Sequence, residues 1–136
     1  MSYILDTNVV SETRKRRASP ALLAFLASVN DDDTFISVMT LGELRRGVVL
    51  KQVANPALAA EFAEWLHDIE HDFGGRVMEV TAPIAHCWGE LSSDRTRPVI
   101  DTLIAATAMV HNLTVVTRNE RDYRDLGVRL LNPWTT

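Results

Sequence analysis

A chain of 136 residues that is 46% hydrophobic and 24% charged has the make-up of one ordinary globular domain, 1–136, which excludes fibrous and disordered classes. A net charge of -4 excludes a protein that grips nucleic acid by bulk electrostatics, so any phosphate contact has to be local. The single cysteine, Cys87, excludes an internal disulfide framework and a multi-thiolate zinc site; it reads as a small buried hydrophobe on a helix.

In chain order, Tyr3-Ile4-Leu5 is a short β-prone run that delivers Asp6-Thr7-Asn8 at its C-terminal end. A short helix follows from Val9 to Thr13, then the basic cluster Arg14-Lys15-Arg16-Arg17. Ser19-Pro20 is a cap and first-turn pair for a helix to about Val29. Thr34-Phe35-Ile36 reads as a second strand, and Ser37 caps a helix with Leu41, Leu44 and Val48 on one stripe. From Pro56 to Phe73 the chain is amphipathic, with Leu58, Phe62, Trp65, Leu66, Ile69 and Phe73 on one face and Gly74-Gly75 as its stop.

Val77 to Val80 is a third strand, Pro83 opens a helix through Trp88 and Leu91, and Pro98 precedes an apolar helix from Val99 to His111. Thr114 to Val116 and Val128 to Leu131 complete the strands. Short strands alternating with helices predict an α/β fold, a parallel sheet covered on both faces. No apolar run is long enough to span a bilayer, and Asp6 falls where a signal peptide's apolar region would lie. The expected address is the cytoplasm, away from membranes.

Ligands of open parallel sheets bind beyond the carboxyl ends of the strands, which directs attention to Asp6, Thr117, Asn119 and Asp122. Taken alone, Asp6 is more readily a helix cap than a catalyst. Asp101 opens a stretch, Thr102 to Thr117, that contains no Asp, Glu, Lys or Arg, so it sits at the start of a buried helix. It is either held by free backbone N–H groups there or paired with a cation, because a buried bare carboxylate is costly. Glu43 borders the Leu41, Leu44 and Val48 stripe beside Thr40 and Gly47, and its neighbours Arg45 and Arg46 diverge from it around the helix. Carboxylates converging from separate elements repel unless a divalent ion neutralises them. An oxygen-only ligand set suits magnesium (Mg2+), with manganese (Mn2+) as the alternative, and such a site hydrolyses phosphodiesters.

These residues resemble the PIN-domain ribonuclease family, and within it the VapC-type toxins of toxin–antitoxin systems. The resemblance rests on Tyr3 to Glu12, Ser37 to Leu44, Asp101 to Ala108 and Thr117 to Tyr123, in family order along essentially the whole chain. It implies an endoribonuclease in which Asp6, Glu43 and Asp101 are catalytic metal-binding acids with Asp122 as a fourth, more variable one. Thr7, Asn8, Thr117 and Asn119 are implied as supporting polar groups. It also implies a three-layer α/β/α sandwich, a homodimer, an RNA substrate, and a cognate antitoxin that lays a C-terminal segment across the toxin. Tyr123 departs from the family pattern, which more often has Phe there.

Other signals carry less. His67-Asp68-Ile69-Glu70-His71 matches an inverted zinc-peptidase pattern, but both histidines project away from the apolar face of their helix. Arg14 to Arg17 is either an RNA-holding cluster or a solvated linker, and no glycine-rich nucleotide loop is present. A binding module whose acidic pocket receives a partner's arginines is the competing function; a magnesium-dependent phosphatase would want a lysine near the phosphate, and Lys15 and Lys51 lie outside the motifs.

Overall fold

The computed structural model describes residues 1–135. The strands are β1 (Tyr3–Leu5), β2 (Thr34–Ser37), β3 (Val77–Met78), β4 (Thr114–Val116) and β5 (Leu130–Leu131). The helices are α1 (Thr7–Glu12), α2 (Pro20–Ser28), α3 (Val38–Ala54), α4 (Pro56–Phe73), α5 (Ala82–Leu91) and α6 (Val99–His111). All pairings are parallel and the sheet order is β3-β2-β1-β4-β5.

Alternation along the strands builds the expected three layers. Leu5, Ile36 and Val116 face one side and pack with Val9, Val10, Leu22, Leu44, Val48 and Leu66 of α1 to α4. Their strand neighbours Ile4 and Val115 face the other side and pack with Ile104, Ala105 and Ala108 of α6 and with Tyr123. The middle of α6 is buried, but Val99, Met109 and Val110 near its ends are exposed, so the helix is not enclosed all round.

Several boundaries are shorter or earlier than the residue pattern predicts. α1 begins at Thr7 because Asp6 is its N-cap, accepting from Thr7 N. β3 stops at Met78 instead of Val80: it is an edge strand whose only partner, β2, ends at Ser37 opposite Met78. β5 covers Leu130–Leu131 alone, since the register that sets Leu130 against Val115 leaves Val128 beyond the start of β4. Cys87 is half-buried, not buried. Both His67 and His71 are exposed, as expected of a solvated face.

One residue organises the α3–α4 turn. Asn55 closes α3 through its N–H to Lys51 O at 2.8 Å and caps α4 by accepting from Leu58 N at 3.2 Å. Among the described residues no helix is long and apolar enough to cross a membrane.

From β1 the chain builds outward through β2 to β3, then returns across the sheet to place β4 on the other side of β1. That reversal makes the β1–β4 boundary the switch point at which open α/β sheets form their crevice. Asp6 and Thr117, the residues that follow β1 and β4, stand at it.

Candidate active site

Asp6 is 3% exposed, and both carboxylate oxygens are occupied. Oδ1 accepts Thr7 N at 2.7 Å, and Oδ2 accepts Thr117 Oγ1 at 2.8 Å and Asn8 Nδ2 at 3.1 Å. Burial still outweighs these donors and holds the Asp6 carboxyl above the usual carboxylate range. The Asn8 side chain also accepts Arg118 N at 3.3 Å, tying the end of β1 to the loop after β4. Asp6 is therefore both the helix cap and a rigidly held acid in the crevice.

Glu43 enters from α3 and is half-buried. Its Oε1 accepts the Thr7 hydroxyl in a short contact. Because that hydroxyl has one proton, the 3.0 Å contact between Thr7 and Thr40 Oγ1 has Thr40 as donor. Thr40 is fully buried, so this relay fixes Glu43 from below. Residue patterning placed Thr40 on the Glu43 face three positions earlier, yet gave it no part in the site.

Asp101 lies in the first turn of α6, whose N-cap is Pro98. No backbone N–H donates to its side chain among the described residues; its one hydrogen-bond donor there is Tyr123 Oη, at 3.5 Å. The helix-cap explanation therefore fails for Asp101. Burial first, then the charges of Asp6, Asp122 and Glu43 and a hydrogen bond with Asp122, push its carboxyl up to about 7. The Asp101 carboxyl thus feels the negative charge of each of the other three acids. Asp122 ends the 3-10 turn 120–122 and accepts from Asn119 Nδ2, while Asn119 N donates to Thr117 Oγ1 at 2.9 Å.

Tyr123 is the residue the motifs undervalued. It is fully buried, and its phenol is pushed far above its ordinary value by burial, then by the charges of Asp6 and Asp101. Its hydroxyl remains a donor to the acids at any working pH.

None of Asp6, Glu43, Asp101 or Asp122 has an Arg, Lys or His partner within 4.0 Å among the described residues; the ion pairs lie elsewhere. The nearest network joins Arg97, its side chain 6% exposed, to Asp94 at 2.7 Å and Asp125 at 3.0 Å, with Arg95 on Asp125 at 2.5 Å. It braces the segment before α6 against the one after Asp122. Nor do three Asp, Glu, His or Cys side chains close on a single point at ligand spacing among the described residues. Like-charged carboxylates held apart, one of them raised well above the usual carboxylate range, form a donor set that a hard divalent cation fits in chemistry: all oxygen, acidic, open to water along the cavity of about 300 Å3 lined by Glu43, Pro98, Val99, Ile100 and Asp101.

A three-layer parallel sheet with an acidic, oxygen-only cleft at its switch point defines the class of carboxylate-site α/β proteins. A family profile described as PIN domain matches residues 3–128, and the chain belongs to that family. It is 32% identical over 141 residues to Toxin FitB of Neisseria gonorrhoeae, covering 96% of this chain and 97% of that protein. It is 28% identical over 137 residues to VapC ribonuclease Y4jK of Sinorhizobium fredii, covering 96% of each. The crystal structure of FitAcB from Neisseria gonorrhoeae superposes with a TM-score of 0.82 at 30% identity, covering 98% of this chain and 99% of that one.

Proposed function

We propose that the chain is the toxin of a toxin–antitoxin pair and acts as a divalent-metal-dependent endoribonuclease. The observation that carries this reading is that Asp6, Glu43 and Asp122 all act on the charge of Asp101 while none of the four acids has a basic partner within 4.0 Å among the described residues. Burying unpaired acids together is unfavourable in a purely structural role and useful where a cation and a phosphate meet. The names of the relatives, a toxin and a ribonuclease, support the same activity.

Asp6, Glu43, Asp101 and Asp122 would hold a magnesium or manganese ion, which when bound supplies Lewis-acid stabilisation to charge developing on a phosphodiester. The chain's own groups set the stage. Thr7, Asn8 and Thr117 lock Asp6; Thr7 and Thr40 aim Glu43; Asn119 orients Asp122; and Tyr123 donates toward Asp101. Fixed donors of this kind lower the reorganisation needed when the scissile phosphate arrives. The same bare carboxylates would accept a guanidinium, which is how a cognate antitoxin would silence the site. A cytoplasmic homodimer is the expected assembly.

The test is cleavage of a labelled RNA pool by purified, antitoxin-free protein with magnesium, manganese or chelator, beside Asp6→Asn and Asp101→Asn. Cutting that requires metal and falls at least about a hundredfold in both variants supports the reading. Cutting that survives chelator or both substitutions overturns it.

A further inference from the structure

A groove of about 250 Å3 opens beside the acids between α1, α3 and α4, with Thr7 and Glu43 at its inner end. Its outer wall carries two cations, Arg14 and Lys51, and two aromatic rings, Phe62 and Trp65. Cations with flat aromatic surfaces are the composition of a single-stranded nucleic-acid subsite, the first for phosphates and the second for bases. The volume suits one nucleotide and is too small for a duplex.

Arg14 is already arranged as a platform. Its Cζ lies 4.1 Å from the Phe62 ring centroid, so the aromatic ring backs the guanidinium and fixes its position. Next to it, Lys15 is neutralised by Glu12 at 2.9 Å, whereas Arg14 and Lys51 make no ion pair among the described residues. In a chain of net charge -4, two unneutralised cations on a groove that ends at a candidate catalytic acid are a local match for a polyanion.

We propose that this groove binds one unpaired nucleotide flanking the scissile phosphate of a single-stranded RNA. The base stacks on the Arg14 plane backed by Phe62, and Lys51 takes the adjoining phosphate. The inference rests on the ribonuclease reading above and adds the subsite that sets how RNA is held. Continuity with Glu43 and the charge of the wall favour RNA over a protein segment.

The experiment pairs fluorescence anisotropy of a random-sequence single-stranded RNA pool in chelator with cleavage of one susceptible RNA in magnesium. Each is run on wild type, Arg14→Ala, Arg14→Lys and Lys51→Ala, all confirmed as folded by melting. Arg14→Ala is expected to weaken binding about tenfold, and Arg14→Lys to recover only part, since charge returns without the plane. Lys51→Ala should lower the slope of log affinity against log salt by about one. A single abasic nucleotide beside the cut should cost wild type what Arg14→Ala costs, and should cost Arg14→Ala nothing more.

Variants that equal wild type in anisotropy and KM, while wild type cleaves and Asp101→Asn does not, overturn the subsite and leave the ribonuclease intact. Variants that keep RNA affinity but lose the co-purifying antitoxin assign the groove to a protein segment and also overturn it. Wild type that cuts no RNA with magnesium is a failure of the ribonuclease reading itself, and the subsite falls with it.

Discussion

Thr117 donates its hydroxyl proton to Asp6 at 2.8 Å across the β1–β4 boundary, one residue beyond the register pair Leu5 and Val116. The same oxygen accepts Asn8 Nδ2 at 3.3 Å and Asn119 N at 2.9 Å, so its donor and both acceptor positions are filled. A single buried threonine thereby joins the cap of α1 to the loop that carries Asp122.

Thr117→Val keeps the shape and removes all three bonds. Asn119 N loses its acceptor, and Asp6 Oδ2 and Asn8 Nδ2 keep only their bond to each other, which predicts a loss of about 1–3 kcal/mol in stability. The urea midpoint should fall with the slope unchanged, RNA cleavage should fall with it, and Thr117→Ser should restore most of both. An unchanged midpoint for the valine variant would show that the hydroxyl contributes nothing net.

The raised Asp101 carboxyl sets a pH dependence with a definite sign. Its pKa moves from 3.8 to about 7 on folding, so between those values the folded chain binds more protons than the unfolded one. Stability in chelator should therefore fall as pH rises from about 4 to about 7, and Asp6 is shifted in the same direction. Melting scans across that range should show the decline, and Asp101→Asn should flatten much of it.

Magnesium should act in the opposite sense, because metal ligands must shed their protons first. Melting is expected to rise by a few degrees with millimolar magnesium at pH 8 and by less at pH 5.5. In Asp101→Asn the rise should disappear at both. An equal rise at both pH values in wild type would mean that the ion binds away from the acids.

Tyr123→Phe leaves the buried ring and deletes the hydroxyl near Asp101 and Asp6. The melting midpoint should change little, since one weak 3.5 Å bond is lost without a cavity. The magnesium concentration for half-maximal cleavage should rise several-fold, because the acids lose a donor that positions their charged forms. If the half-maximal concentration does not move, the phenol is a packing group alone.

Arg97→Met tests the brace between the segments bearing Asp101 and Asp122. Both aspartates it engages are about half exposed, so the expected stability loss is about 1 kcal/mol or less. Hydrogen exchange should instead speed up selectively in the first turn of α6. Uniform exchange throughout the helix would show that the network does not position it.

The order of elements was readable because the two periodicities are clean: Ile4 and Leu5 point into different cores, and Leu44 and Val48 repeat at helical spacing. Strand ends were not, since β3 and β5 stop where their partners stop, a property of pairing and not of their own residues. The four acids stood out as charged residues in capping or apolar contexts. Thr40 and Tyr123 did not, because a threonine on a helix and an aromatic ring in a core have ordinary structural uses. Only the fold shows that their hydroxyls reach Thr7 and Asp101.

The switch-point topology has a consequence for synthesis. β1 is made before the other strands but lies inside the finished sheet, and its second neighbour, β4, is made only after β2, β3 and α6. Until then the nascent chain presents an open strand edge and carries Asp6, Glu43 and at last Asp101 without Thr117 or Asp122. A chain truncated before α6 thus holds half of the four acids and lacks the strand that would bring them to the others, so the acidic cleft is completed only when β4 takes its place beside β1.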